Sequence, residues 1–156
     1  MNTKILGLSE SKINELAEDL NILLANYQVY YQSLRGLHWN IKGKNFFQLH
    51  EKFEELYNDS QVKIDEVAER ILTLEGTPLH TFDDYSKLAK VPVGKNISKD
   101  VEAVNLVVSS LKEIIQIERA ILDKSAEADD EGTNAMMSDF ISEQEKTIWM
   151  FKSWLA

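Results

Sequence analysis

The chain has 156 residues, 44% hydrophobic and 28% charged, with a formal net charge of −9 and no cysteine. That length is one domain with a sizeable core, and the lack of cysteine excludes a disulfide framework, a thiolate metal site and a cysteine nucleophile. An acidic chain with no basic run repels nucleic-acid phosphates, no stretch of about 18 apolar residues could cross a membrane, and "MNTKILGLSESK" lacks a basic region followed by an apolar one, so the expected compartment is the cytoplasm.

A single domain over 1–156 is expected, with 1–8 as a short tail. The first helix starts near Ser9 or Ser11, either of which can cap it. Ile13, Leu16, Leu20, Leu23, Tyr27, Tyr30, Leu34 and Leu37 then recur at alternating steps of three and four, the seam of a bundle helix. Gly36 and Gly43 mark its end and the turn. The second helix is expected from about Asn45 to Glu75, stopped by Gly76 with Pro78 beyond. A connection of roughly twenty residues follows, with a short helix near Asp83 to Leu88. Ser98 is the expected cap of the third helix, whose seam reads Val101, Val104, Val108, Leu111, Ile115 and Leu122. "ADDEGTN" is a turn. The fourth helix runs to the end with Phe140, Ile148, Phe151 and Leu155 inward. No segment alternates with a period of two, so no sheet is expected. Four long helices, with a long crossover carrying a short helix between the second and third, predict an all-α, ferritin-like four-helix bundle.

"LHWNIKGKNFFQLHEKFEELYNDSQVKIDEVAERI" carries two of the three histidines and a run of carboxylates. With His50 as origin and about 100° per residue, Glu54 falls at about 40°, Asp65 at about 60° and Glu69 at about 100°. Phe46, Phe53, Leu56, Ile64, Val67, Ile71 and Leu74 occupy a different arc, centred about 140° away. The apolar arc must face the core, so the other faces out. Outward carboxylates are ordinarily a solvated face. Imidazole combined with carboxylate also suits Fe(II) or Zn(II), and Asp65 and Glu69, one turn apart, can reach one ion.

Di-iron bundles place Glu-x-x-His pairs inward. Here Arg35, Phe47 and Thr77 stand three residues before His38, His50 and His80, so the motif is absent. Metal bound by the outward arc therefore calls for a site shared between chains, with His38 from one copy and Asp65 and Glu69 from another. A two-fold pairing makes two such sites.

"HWNIKGKNFFQLHEKF" and "KIDEVAERI", with twelve residues from His38 to His50, fifteen to Asp65 and four to Glu69, resemble the ferroxidase signature of the Dps proteins, or mini-ferritins. The likeness continues to "IWMFKSWL" and covers nearly the whole chain. It implies a hollow shell of twelve chains that oxidises Fe(II), preferably with hydrogen peroxide, and stores ferric mineral, protecting against oxidative damage. It implies two irons per inter-chain site, with His38, Asp65 and Glu69 as ligands and His50 with Glu54 at a weaker second position, through water. It also places acidic three-fold pores near the last turn and last helix, for which Asp130 and Glu145 are the candidates. Some family members bind DNA through basic tails. Here only Lys4 and Lys12 precede or begin the first helix, so DNA is expected to bind weakly or not at all.

Two other readings stand beside this one: a DNA-compacting structural protein, and a helical bundle that binds Zn(II) or nothing. Trp39, next to His38, reads either as an electron source or as interface filling. His80 reads as a surface residue. Glu118 interrupts the apolar seam of the third helix, and pairing with Arg35, pairing with Arg119 and facing a cavity are all open.

Overall fold

The computed structural model describes residues 5–156, so part of the expected 1–8 tail lies outside the described residues. Five helices follow in chain order: α1 Glu10–Asn40, α2 Phe46–Thr73, α3 Phe82–Leu88, α4 Asp100–Glu127 and α5 Glu131–Leu155. The described residues contain no strand. All eight expected seam residues of α1 are buried.

The helix ends show where local signals were overridden. Gly36 lies inside α1, which continues for another turn to Asn40. The chain reverses instead at Gly43, whose φ of +115° only glycine adopts without strain. After α2 the left-handed residue is Glu75, at φ 61°. Gly76 is required for room: a Cβ there would lie 3.0 Å from the Ala17 Cβ and from an Ile71 methyl. Ser98 does not cap α4. Its carbonyl accepts from the Lys42 amide (2.9 Å), and the helix starts two residues later. The "ADDEGTN" turn is shorter than expected, because α5 begins at Glu131.

Contacts between elements fix the topology. Lys42 meets Ser98 at one end of the bundle, and Lys12 bonds to the Glu127 carbonyl at the other, so α1 and α4 are antiparallel. Lys63 pairs with Glu143 and Arg70 with Asp130, so α2 and α5 are antiparallel. The crossover must then run the length of the bundle, and α1 holds it there. Asn21 accepts from the Leu79 amide and donates to the Thr77 carbonyl. Buried Asn26 accepts from the amides of Lys90 and Val91. These two side chains replace the partners that an irregular segment cannot supply to its own backbone.

The core lies between α1, α2, α4 and α5, with Tyr85 and Val91 sealing it from the crossover. The buried face of α4 holds Val104, Leu111 and Ile115 of the expected row, with Val108 and Leu122 partly buried, and is wider than that row. Val101 is 53% exposed, while Val107, Ile114 and Ile121 are buried. On α5, Phe140 and Phe151 are buried, and Ile148 and Leu155 only partly so.

Candidate metal centre

The tight reversal at residues 41–45 folds the end of α1 against the start of α2 and brings His38 and His50 face to face. Their ring centroids are 3.7 Å apart and their planes 16° from parallel. The bonds between them are reciprocal: the His38 Nδ1 lies 2.7 Å from the His50 carbonyl, and the His50 Nδ1 lies 2.8 Å from the His38 carbonyl. A carbonyl only accepts, so each Nδ1 carries the hydrogen, which leaves Nε2 as the nitrogen that can offer a lone pair to a metal. The His38 carbonyl is available because Lys42, its normal helical partner, donates to Ser98 instead.

Aromatic rings enclose the pair. Phe46 stacks on His50 at 4.9 Å, and Phe47 meets Phe46 edge-on. Tyr57 stands edge-on to His38 at 5.4 Å, and Tyr31 edge-on to Tyr57 at 6.1 Å. The Tyr57 hydroxyl is 3.4 Å from the Glu54 carboxylate. Partial burial, with that carboxylate next in importance, raises the Tyr57 phenol above its usual value.

Glu54, Asp65 and Glu69 are exposed, and His50 is half-buried. The buried residues of α2 are Leu49, Phe53, Ser60, Lys63, Val67 and Ile71, which keep to the opposite arc. The candidate arc therefore faces out of the bundle. Asp65 and Glu69 take part in none of the ion pairs among the described residues. Fifteen residues at about 1.5 Å each put Asp65 about 22 Å along the helix from His50. One ion cannot span that distance. Among the described residues, no three His, Asp or Glu side chains converge to hold a metal within one chain.

The remaining candidates have other surroundings. Asp130 is buried at the N-cap of α5, where it accepts from the Thr133 amide and hydroxyl and from Arg70. Glu145 is exposed and paired with Arg119. His80 is exposed, with its Nδ1 3.0 Å from the Pro78 carbonyl. Trp39 is 57% exposed beneath the Arg35 guanidinium.

Residues 17–156 match the ferritin-like domain family. The "DNA protection during starvation protein" of Porphyromonas gingivalis is 43% identical over 97% of this chain and 95% of its own. The chain belongs to the Dps family. The crystal structure of a Dps protein from Vibrio cholerae O1, described as a member of the ferritin-like diiron-carboxylate superfamily, superposes with a TM-score of 0.97. It is 47% identical and covers 100% of this chain and 98% of that one. A Listeria innocua Dps at TM-score 0.87 and 30% identity, covering 90% of this chain and 93% of that one, is a variant with two histidines replaced by glycine.

At the bundle centre this Dps-family chain has a different polar cluster. Glu118 is fully buried and pairs with neither Arg35 nor Arg119. Its Oε1 accepts from Tyr27 (2.6 Å) and from the Gln144 amide (2.9 Å). Its Oε2 and the Gln144 Oε1 have no hydrogen-bond partner. Burial drives the Glu118 pKa up to about 7, against the two hydrogen bonds that pull it down. Nearby, Lys63 is buried across the Phe140 ring. Burial lowers its pKa, but bonds to Asp59 and Glu143 outweigh that and leave it above its usual value. A single carboxylate facing an amide, a phenol and a lysine is not the donor set of a di-iron bundle centre. The cluster was illegible in the sequence because only Glu118 broke the apolar pattern visibly.

Proposed function

We propose that this protein oxidises Fe(II), preferably with hydrogen peroxide, at sites shared between two chains, and stores the ferric product inside a shell of twelve chains. One observation carries this reading: two imidazoles with Nε2 free lie on the same outward face as Asp65 and Glu69, at the opposite end of α2. A second copy packed antiparallel on this face about a two-fold axis brings its Asp65 and Glu69 to this copy's His38 and His50, and the reverse, making two equal sites. His38, Asp65 and Glu69 hold the first iron. His50 and Glu54 serve the second, weaker position.

The chemistry follows from the donors. Carboxylates are hard ligands that favour Fe(III) over Fe(II). Two Fe(II) oxidised together deliver both electrons that peroxide needs to become water, so no hydroxyl radical is released. Protection in this reading is chemical, by removing Fe(II) and peroxide together. The histidine pair of the Listeria innocua variant supports it, since those two histidines are twelve residues apart, as His38 and His50 are. The net charge of −9 per chain, multiplied over a shell, opposes direct DNA binding.

The test is to mix metal-free protein anaerobically with Fe(II), add one peroxide per two irons, and follow ferric absorbance and hydroxyl radical together. Fast oxidation with little radical is expected, and Asp65→Ala or His38→Ala should lose it. Parent kinetics and radical yield matching protein-free iron would return the arc to a solvated face.

A further inference from the structure

The reversal between α1 and α2 is clamped from outside by residues 98–100, which lead out of the crossover into α4. The clamp grips both sides of Gly43. On one side the Lys42 amide donates to the Ser98 carbonyl (2.9 Å). On the other stands Asn45, at the N-cap of α2, yet its side chain caps nothing there. Its amide donates across to an Asp100 carboxylate oxygen (2.7 Å), between residues 55 apart in the chain. The second Asp100 oxygen accepts from the Val101 amide (2.8 Å), which fixes the carboxylate at the start of α4. The Asn45 bond, and after it that backbone amide, hold the Asp100 carboxyl below its usual range.

This clamp bears on the histidines through one carbonyl. In an unbroken helix the His38 carbonyl accepts from the amide four residues on, which is Lys42. Here Lys42 is given to Ser98, and the His38 carbonyl takes the His50 Nδ1 hydrogen at 2.8 Å. The other histidine bond does not depend on Lys42, because it runs from the His38 Nδ1 to the His50 carbonyl inside α2. Releasing the clamp therefore acts on the two rings unequally. With Lys42 drawn back to its helical acceptor, α1 winds on past Asn40. His50 then loses the bond that aims its Nε2, while the bond from the His38 ring keeps its acceptor.

We propose that Asn45 and Asp100 are positioning residues for the second iron: they keep Lys42 on Ser98, so that the His38 carbonyl stays free to orient His50. The proposal rests on the ferroxidase reading above, in which His50 serves the weaker position. Neither side chain touches iron. Both act through the backbone of the reversal, and partners of a metal ligand commonly set its affinity by roughly tenfold or more.

The experiment titrates the assembled, metal-free protein with Fe(II) in a calorimeter without oxygen, then follows oxidation by peroxide over a range of Fe(II) concentrations. The parent is expected to bind in a tight step and a weak step. Asn45→Ala and Asp100→Ala should each loosen the weak step about tenfold and leave the tight step within about twofold. Oxidation should then need more Fe(II) to reach half its maximum, with the maximum itself kept. The double variant Asn45→Asp with Asp100→Asn, which exchanges donor and acceptor, should restore the weak step. Should the alanine variants fail to assemble, Asp100→Asn gives the same test in milder form, since it keeps the shape and drops the charge that strengthens the bond. Thermal unfolding is run on every variant, because a merely structural role lowers the midpoint and moves both binding steps or neither. An unchanged weak step, an equal loss in both steps, or a double variant that assembles without restoring the weak step would overturn the proposal. A parent with one binding step, or with oxidation no faster than protein-free iron, sinks the ferroxidase reading and the proposal with it. Two steps in the parent, matched by the variants, sink the proposal alone.

Discussion

At the scale of single residues, identity and placement come apart. His38 and His50 were visible as candidates, but their mutual bonding was not, because it needs a carbonyl that the helix has released. Asp130 was visible as an acid in an acidic turn. The structure gives its carboxylate three donors and a buried ion pair with Arg70. Asp130→Asn keeps much of the cap but leaves the Arg70 charge without its counterion. It should lower stability by about 3 kcal/mol. Denaturant unfolding of the two proteins checks this, and a loss within about 0.5 kcal/mol would match an ordinary exposed position instead.

At the scale of elements, the α1–α4–α5 contact is built around Glu118. Its pKa is raised by burial from 4.5 to about 7, so the folded protein holds a proton that the unfolded chain has released. Its contribution is fully present below about pH 4.5 and is lost as pH rises through about 7. At about 1.4 kcal/mol per unit, the parent should lose about 3 kcal/mol across that window from this group. Glu118→Gln removes the titration, and its amide can donate to the unpartnered Gln144 oxygen. The variant should therefore be the more stable at pH 8, and the gap should shrink toward pH 5. Unfolding curves that run parallel at the two pH values would refute the assignment. The same element shows why the expected α4 row, with Val104, Leu111 and Ile115 buried, covers only part of the buried face. Small buried residues such as Ala103, Ser110 and Ser125 belong to the true seam but carry little apolar signal.

At the scale of the whole molecule, the proposed two-fold axis crosses α2 halfway between His50 and the Asp65–Glu69 pair, at Asn58. Residues on such an axis meet their own copies. Asn58→Cys, in a chain that otherwise lacks cysteine, should form a disulfide with a second copy under mild oxidation. Thr73→Cys, at the far end of the helix, should not. Crosslinking at Thr73 alone would displace the axis and break the shared site. A shell of acidic chains should also fail to shift DNA in a gel at low salt unless divalent metal is added.

The sequence by itself determined the class of fold, the outward face of α2 and the separation of the candidate ligands. All three are periodic quantities, and a helix converts residue number directly into angle and distance. The row of α1 residues from Ile13 to Leu37 was legible for the same reason. Other features belonged to the tertiary structure alone. The stacked histidines with their fixed tautomer, Tyr57 as the ring that touches His38, the capping duty of Asp130 and the buried Glu118–Tyr27–Gln144 cluster each join residues from different parts of the chain. Their geometry depends on which carbonyl is left free and which side chain is shut away from water, and those are decided only when the helices pack.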